Sequence, residues 1–175
     1  MGKIYTALGL MSGTSMDGLD TSIIQTDGKF EYKLILDKYF KYPESIYNSL
    51  ILLRDKVKSL KDLKKYQKKI KSIEKDLTIF QAESVKKILK KTVLNIDFIG
   101  FHGQTIFHNA KKKITKQIGD GKLLSKLTKK KVIYDFRQND LKYGGEGAPL
   151  APIFHQMLQK KFNIKPVSFF NIGGI

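Results

Sequence analysis

A short run of small and polar residues near the start of the chain, GLMSGTSMDGLD at positions 9–20, constrains the fold most strongly. An apolar segment over Lys3–Leu10 leads into this run, and the strand-like segment DTSIIQTD follows it. Gly13 and Gly18 allow a tight turn, because glycine adopts backbone conformations that other residues disfavour. The pattern therefore predicts two strands that are joined by a glycine-containing hairpin.

A second hairpin is indicated by Asp27-Gly28, a residue pair typical of tight turns between strands. Apolar and polar side chains alternate over Phe30–Asp37, as they do in a half-buried strand. The start of the chain thus predicts a three-stranded antiparallel meander. Strand-like and helix-like segments alternate after it, which favours an α/β fold with a mixed sheet and flanking helices.

Two helices are predicted after the meander, one over Glu44–Arg54 and a longer one over Leu60–Lys91. Apolar residues recur in the longer segment at every third or fourth position. This spacing suits a coiled-coil dimer, but also an amphipathic helix that covers a sheet. The strand-like segments on both sides favour the second interpretation. Further along, the pattern predicts strands at NIDFIGF, KITKQI and Val167–Ile172, with a short helix at GKLLSKLTKK.

Polar loops are predicted at the strand ends: GTSMDG follows the first strand, HGQT occupies 102–105, DFRQND follows the strand-like KVIY and occupies 135–140, and GGEGAP occupies 144–149. The last stretch leads into a helix predicted to start near Pro149. In open α/β sheets, ligands bind beyond the carboxyl ends of the strands. We therefore expect these four stretches to line one crevice.

The first hairpin has the chemistry of a phosphate site. Backbone N–H groups of its turn and the hydroxyls of Thr14 and Ser15 could hold phosphate oxygens. It is not a P-loop, because no lysine follows a second glycine and a strand comes next. The Asp17 carboxylate beside a phosphate suits Mg²⁺, bound directly or through water. An ordinary polar turn has the same composition, so the residues alone leave both interpretations open.

The other stretches suit a sugar or an anion. The side chains of HGQT can hydrogen-bond to sugar hydroxyl and acetamido groups, although a structural histidine is equally consistent. Arg137 offers a planar fork for a carboxylate, or for a structural ion pair with a neighbouring aspartate. The helix after GGEGAP could receive an anion at its free N–H groups, or simply begin at a proline. The three histidines lack the spacing of metal ligands.

The net charge of +17 would suit a nucleic-acid or anionic-membrane partner. Only Arg54 and Arg137 among the 33 basic residues are arginine, the side chain best suited to base and phosphate recognition. Because the lysines are spread along the chain, composition bias is the simpler explanation, and we expect no specific nucleic-acid partner. The chain lacks cysteine and any apolar run long enough for a membrane span, so we expect a cytoplasmic protein without a membrane partner.

Six blocks in this order, GLMSGTSMDGLD, HGQT, QIGDG, DFRQND, GGEGAPLAPIFHQ and NIGGI, closely resemble the anhydro-N-acetylmuramic acid kinase family. The resemblance implies the actin-like ATPase fold of sugar kinases and heat-shock ATPases, in which two domains close on ATP. It also implies a reaction that uses ATP and magnesium. Water opens the anhydro ring of 1,6-anhydro-N-acetylmuramic acid, a product of cell-wall turnover, and O6 is phosphorylated to give N-acetylmuramic acid 6-phosphate.

Carried onto this sequence, the resemblance implies two sets of site residues, with Asp17 as a magnesium ligand, directly or through water. The residues that it assigns to ATP are Gly13, Thr14, Ser15, Met16, Asp17, Gly18, Leu19 and Asp20. The residues that it assigns to the sugar are His102, Gln104, Thr105, Asp135, Arg137, Asp140, Gly145 and Glu146.

Two departures from the family pattern stand out. Glu146 occupies the position of a glutamine in the family's GGQGAPL block, which adds a negative charge near an anionic substrate. The family also continues beyond NIGGI to a GFDTGPGN-like motif, whose aspartate is expected to be the general base. We therefore expect the base to lie beyond Ile175, with no catalytic residue in this chain. The division implies an N-terminal kinase domain over 1–165 and the first strand of a truncated C-terminal domain over 166–175.

Three expectations follow from this division. The 175 residues alone should bind ATP weakly and lack kinase activity, because phosphoryl transfer needs groups on both sides of the cleft. They should expose an apolar interdomain surface. A separate chain carrying the C-terminal half could complete the enzyme. A basic nucleic-acid-binding protein and a non-catalytic remnant are the alternatives.

Overall fold

The first three strands form the antiparallel meander that the turn residues predict. The computed structural model describes residues 2–170, and in it β1 (Tyr5–Ser12), β2 (Gly18–Thr26) and β3 (Tyr32–Lys41) pair in sequence. The turn between β2 and β3 is held by Asp27, whose Oδ1 accepts hydrogen bonds of 2.9 Å from three successive backbone N–H groups, those of residues 29–31.

The fourth strand extends the meander into a mixed sheet. β4 (Phe98–Asn109) pairs in parallel with β1 and antiparallel with β5 (Ile114–Ile118), and the short β6 (Val132–Ile133) lies parallel to β4. Within the described residues the strand order is β3-β2-β1-β4-β5, with β6 beside β4. Since β1, β3, β4 and β6 run in the same direction, their carboxyl ends share one edge of the sheet, which we call the carboxyl edge.

One face of the sheet carries the core and is called the helix face here. It is covered by α1 (Glu44–Lys56), α3 (Gln67–Leu89) and α4 (Gly121–Thr128), while the short α2 (Leu60–Lys65) precedes α3. Alternation along the strands sends one set of apolar side chains to this face, namely Leu8, Leu10, Ile23, Ile99 and Phe101, all buried. The apolar stripe of α3 packs on them, as expected of a helix that covers a sheet: Ile70, Ile73, Leu77, Val85 and Ile88.

The opposite face, called the open face here, is only partly covered. α5 (Phe136–Lys142) lies over it near Gly100, and α6 (Pro152–Phe162) touches it where the Phe154 and Tyr32 rings meet edge to face, 5.3 Å apart. Several apolar side chains remain exposed on this side, namely Met11, Ile133, Phe136, Ile153 and Phe154. No helix within residues 2–170 combines the length and apolarity that a membrane crossing requires.

The structure differs from four of the sequence predictions. The single helix predicted over 60–91 divides at Tyr66, whose backbone leaves the helical conformation between α2 and α3. HGQT is not a loop, because β5 pairs with it and β4 continues to Asn109. DFRQND forms α5 instead of a loop. The helix predicted near Pro149 begins at Pro152.

The strand predicted over Val167–Ile172 is only partly within the described residues. Residues 167–170 are irregular, since no described strand pairs with them, and residues 171 and 172 lie outside the described range. Ile175, beyond which the general base is expected, lies outside that range as well. The domain boundary at 165 and the placement of the base therefore both stay predictions.

Candidate functional site

The β1–β2 hairpin reaches the carboxyl edge with its apolar residues turned inward. Met16 takes a left-handed backbone conformation, with φ of 59°, and its side chain is buried in the core, as is that of Leu19. The remaining side chains of the turn, those of Thr14, Ser15 and Asp17, are exposed. The core therefore anchors the turn, while its hydroxyl and carboxylate groups face solvent.

Asp17 is held in its charged form by local hydrogen bonding. The Ser15 hydroxyl donates to Asp17 Oδ1 at 2.5 Å and lowers the pKa of that carboxyl. The Tyr39 hydroxyl also lies near Asp17, and partial burial together with the charge of Asp17 raises the pKa of Tyr39. The hairpin thus presents a carboxylate at neutral pH.

A buried polar network on the helix face supports the hairpin. Gln104 Nε2 donates to Gly13 O at 3.0 Å, and its Oε1 accepts a short hydrogen bond from the Ser12 hydroxyl. Tyr42 Oη donates to Ser12 Oγ at 2.9 Å and accepts from Gln81 Nε2 at 3.5 Å. All four side chains of this network are at most 3% exposed.

A bulge in β4 separates two residues that the sequence grouped together. Leu10 pairs with Phe101 and Ser12 with Gln104, so the one residue of β1 between these pairs opposes two residues of β4, His102 and Gly103. The extra residue is accommodated at Gly103, whose φ is +72°. In consequence Gln104 lies on the helix face, beneath the hairpin, whereas His102 lies on the open face.

His102 and Arg137 form the centre of the open-face group. His102 Nδ1 lies 2.7 Å from Gly103 O, a carbonyl that can only accept, so Nδ1 carries the proton. Nε2 is then free to accept from the Nε–H of Arg137 at 2.8 Å. Burial, together with the neighbouring guanidinium, lowers the pKa of His102, which keeps the ring neutral at pH 7.

Arg137 is oriented but not neutralised. Its second hydrogen bond, from NH1 to Gly147 O at 2.7 Å, also goes to an uncharged acceptor. Among the ion pairs within residues 2–170, none includes Arg137. A partly buried guanidinium that keeps further donors and its full charge is suited to an anionic ligand.

The glycine loop over 144–149 is shaped by Asp140. Its Oδ2 accepts from the Gly147 N–H at 2.7 Å, and its backbone oxygen accepts from the Gly145 N–H at 2.9 Å. A Cβ atom on Gly145 would overlap the Asp140 carboxylate, so glycine is required for this close approach. Asp140 therefore holds the loop that receives Arg137.

The remaining predicted sugar residues are arranged less closely. Thr105 lies on β4 near His102, and its Oγ1 accepts from Gln117 Nε2 at 3.0 Å. Asp135 and Glu146 are exposed, and Asp135 precedes α5 in a left-handed conformation with φ of 61°. The structure thus forms two groups. Gln104 belongs with the hairpin, and His102 belongs with Arg137, Asp140 and the glycine loop. Gln104 and His102 are close together on β4, so this strand connects the two groups.

Three members of the supporting network were missed by sequence reasoning: Ser12, Tyr42 and Gln81. Ser12 was detectable, since it continues the even-numbered buried positions of β1 after Leu8 and Leu10. Tyr42 and Gln81 carry no local signal, because they are 39 residues apart and meet only after α3 packs on the sheet.

The residues at the hairpin fit ATP phosphates with magnesium. Its exposed tip offers hydroxyl donors, and Asp17 offers one carboxylate. Within residues 2–170 no group of three or more histidine, aspartate or glutamate side chains could hold a metal by itself. A magnesium ion would therefore take most of its ligands from phosphate oxygens and water, which is how Mg²⁺ commonly binds in nucleotide sites.

An antiparallel meander, a parallel fourth strand and a polar hairpin at the carboxyl edge belong to a domain of the actin-like ATPase fold, which is the fold of the sugar kinases. The sequence model of one family within that fold, described as anhydro-N-acetylmuramic acid kinase, matches residues 5–175. The chain belongs to this family.

Curated relatives carry the same description. The anhydro-N-acetylmuramic acid kinase of Pelagibacter ubique is 56% identical over 176 residues, covering 100% of this chain and 47% of the relative. Those of Agrobacterium fabrum and Rhizobium etli are each 39% identical, over 100% of this chain and 48% and 49% of their own lengths. The chain spans about half the length of the curated relatives it matches.

Proposed function

We propose that this chain forms the N-terminal half of an anhydro-N-acetylmuramic acid kinase of cell-wall recycling. In the proposed reaction, water adds to C1 of 1,6-anhydro-N-acetylmuramic acid, the C1–O6 bond breaks, and O6 takes the γ-phosphoryl group of ATP, so that ADP leaves. Because the reaction consumes ATP, we place it in the cytoplasm. One observation carries the proposal: the β1–β2 hairpin, with its exposed hydroxyls, and Arg137, which has no ion-pair partner among the described residues, are both held by residues of one stretch of β4. Gln104 bonds to the hairpin at Gly13, and His102 accepts from Arg137.

The hairpin is the proposed ATP site. Its backbone N–H groups and the hydroxyls of Thr14 and Ser15 would bind phosphate oxygens, while Met16, Gly18 and Leu19 act through the backbone and the core. Asp17 would hold magnesium directly or through water, with Asp20 exposed nearby on β2. Bound Mg²⁺ would offset the negative charge of the phosphates.

Arg137 is the proposed contact for the lactyl carboxylate of the sugar. Its planar fork suits a carboxylate, and His102 and Gly147 leave part of that fork free. Thr105, Asp135 and Glu146 would face the sugar, whereas Asp140 and Gly145 would act by shaping the glycine loop. Gln104 would act through the hairpin, since its amide is buried and fully engaged there.

The groups that complete the reaction are proposed to lie outside these 175 residues. We propose an N-terminal kinase domain over 1–165 and the start of a C-terminal domain over 166–175. The general base and the second phosphate loop would then come from a C-terminal half, either beyond Ile175 in the same polypeptide or in a separate chain. This division is supported by the length of the curated relatives.

A chimaeric enzyme tests the proposal directly. The segment of the Pelagibacter ubique kinase that aligns with this chain is replaced by residues 1–175, and ATP-dependent phosphorylation of 1,6-anhydro-N-acetylmuramic acid is measured. We expect turnover within about tenfold of the parent enzyme, with loss of activity on Asp17→Asn exchange. A folded chimaera that consumes ATP with another sugar, or with none, would refute the proposed substrate.

A further inference from the structure

We propose that Tyr42 and Gln81 are positioning residues for ATP, acting through the hydrogen-bond chain that ends at Gly13. The inference rests on the proposed function, because it assumes that the β1–β2 hairpin binds the phosphates. Within the described residues, neither side chain hydrogen-bonds to the hairpin turn itself. Both are buried beneath it, Tyr42 just after the end of β3 and Gln81 on α3.

The donor and acceptor of each hydrogen bond in this series are set by the carbonyl groups at its hairpin end. Gly13 O and Thr105 O can only accept, so Gln104 must turn its Nε2 towards them and its Oε1 towards Ser12. The single hydroxyl proton of Ser12 is then shared between two acceptors, Gln104 Oε1 and the backbone oxygen of Gly18 at 3.1 Å. Ser12 Oγ must accept from Tyr42 Oη, whose remaining lone pair accepts from Gln81 Nε2.

The orientation of Gln81 is therefore dictated by a carbonyl on the hairpin. If its amide were turned over, Tyr42 would donate to Gln81 and Ser12 would lose its donor. The observed orientation leaves Gln81 Oε1 buried without a hydrogen-bond partner within the described residues. Such an orphaned oxygen lowers stability, so a residue that served packing alone would be better replaced by an apolar side chain.

This series of hydrogen bonds orients one backbone N–H group, that of Thr14. Gly13 O and the Thr14 N–H belong to one planar trans peptide unit, in which they point in opposite directions. Gly13 O accepts from Gln104 Nε2 at 3.0 Å and from the Met16 N–H of the turn itself at 3.2 Å. Gln104 adds a side-chain restraint to this turn bond, and the Thr14 N–H of the same peptide unit points the other way, towards the exposed tip of the hairpin. The Tyr42 backbone restrains the hairpin as well, because its N–H donates to Asp17 O at 2.9 Å.

Two substitutions separate positioning from stability. Tyr42→Phe keeps the ring, which packs edge-on against Phe80, and removes only the hydroxyl. Gln81→Met keeps the volume and removes both the donor and the orphaned oxygen. We expect the KM for ATP of the chimaera to rise about three- to tenfold in each variant, with the KM for the sugar unchanged.

In Gln81→Met, ATP binding is expected to weaken while stability does not fall, and this combination makes the test specific. Gln81→Met should leave the melting temperature unchanged or raise it, whereas a packing role predicts no effect on ATP. The matched control is Thr78→Val, which removes the hydroxyl of another fully buried α3 side chain. This hydroxyl accepts from the Asp120 N–H and has no hydrogen bond to the network that ends at Gly13. This control should lower the melting temperature and leave both KM values unchanged.

The same variants of the 175-residue chain provide a direct structural readout. Because these residues alone are expected to bind ATP weakly, the NMR titration is carried to a large excess of Mg-ATP. We expect the Thr14 amide resonance to shift clearly in the original chain and less in both variants. Adenosine, which lacks phosphates, should not shift it in any of them.

The possible outcomes distinguish the two proposals. Unchanged KM for ATP and unchanged Thr14 shifts in both variants would refute the positioning role while leaving the proposed function intact. If the original chimaera instead binds Mg-ATP no better than adenosine, the hairpin is not a phosphate site and both proposals fail.

Discussion

The Nε–H group of Arg137 donates to Nε2 of His102 over 2.8 Å, and this bond makes the guanidinium depend on a neutral imidazole. The ring can accept only while Nε2 is unprotonated. Because Nδ1 is already engaged by Gly103 O, the alternative tautomer would break both bonds.

A pH dependence of sugar binding follows from this pair. The pKa of His102 is lowered from 6.5 by burial and by the charge of Arg137, so the ring is neutral above the ordinary value. The stability that this depressed pKa provides is complete above the ordinary value, and it is lost as the pH falls through the lowered folded pKa. Sugar affinity should follow the same course, constant above pH 7 and decreasing in acid.

This dependence can be measured by following the His102 ring in an NMR titration alongside the KM for the sugar. Both should change with one midpoint below 6.5, and His102→Asn should remove the transition. A midpoint above that value would contradict the depression of the His102 pKa by burial and by the charge of Arg137.

Replacement of Arg137 by lysine should weaken sugar binding although the charge is kept. Lysine is a point charge and cannot reproduce the planar fork that reaches His102 and Gly147 and leaves donors for the proposed carboxylate. We expect Arg137→Lys in the chimaera to raise the KM for the sugar by about tenfold, corresponding to about 1.4 kcal/mol, with little change in the KM for ATP.

The second arginine of the chain is the matched control for that experiment. Arg54 lies on the surface of α1, and among residues 2–170 it forms an ion pair only with the adjacent exposed Asp55. Arg54→Lys should leave both KM values unchanged, since exposed ion pairs contribute little. Equal effects of the two substitutions would show that Arg137 acts only through its charge.

Alanine at Gly103 should be strongly destabilising, because this glycine forms the bulge that separates His102 from Gln104. Its φ of +72° disfavours side chains, and a Cβ would lie 2.7 Å from Ile118 O, a backbone atom that cannot easily move. We expect Gly103→Ala to cost about 2–3 kcal/mol in the free energy of unfolding, measured by urea denaturation.

Gly100 on the same strand provides the comparison. A Cβ there would meet only the Phe136 ring at 3.9 Å, an ordinary contact, and its φ is not positive. Gly100→Ala should therefore change the free energy of unfolding by less than about 1 kcal/mol. If both variants are equally stable, β4 does not need the bulge.

The sequence predicted correctly the turns and strands that are determined by neighbouring residues. Asp27-Gly28 marked the second turn, and the alternation on either side of it gave the meander. The same local signals misled where a partner strand or helix intervened. The glycine of HGQT suggested a loop, but β5 supplied hydrogen bonds to Gln104 and Thr105, so β4 continued.

The family motifs, including the hairpin composition and the unusual Arg137, were determined by the sequence alone, because they depend only on residue types and their spacing. Tertiary structure decided what each of these residues does. Gln104 and Gly13 are 91 residues apart and meet only because β4 inserts beside β1, and the bulge at Gly103 then turns His102 to the other face. Which side chains share a face depends on pairing between distant strands, and the sequence of neither strand specifies that pairing by itself.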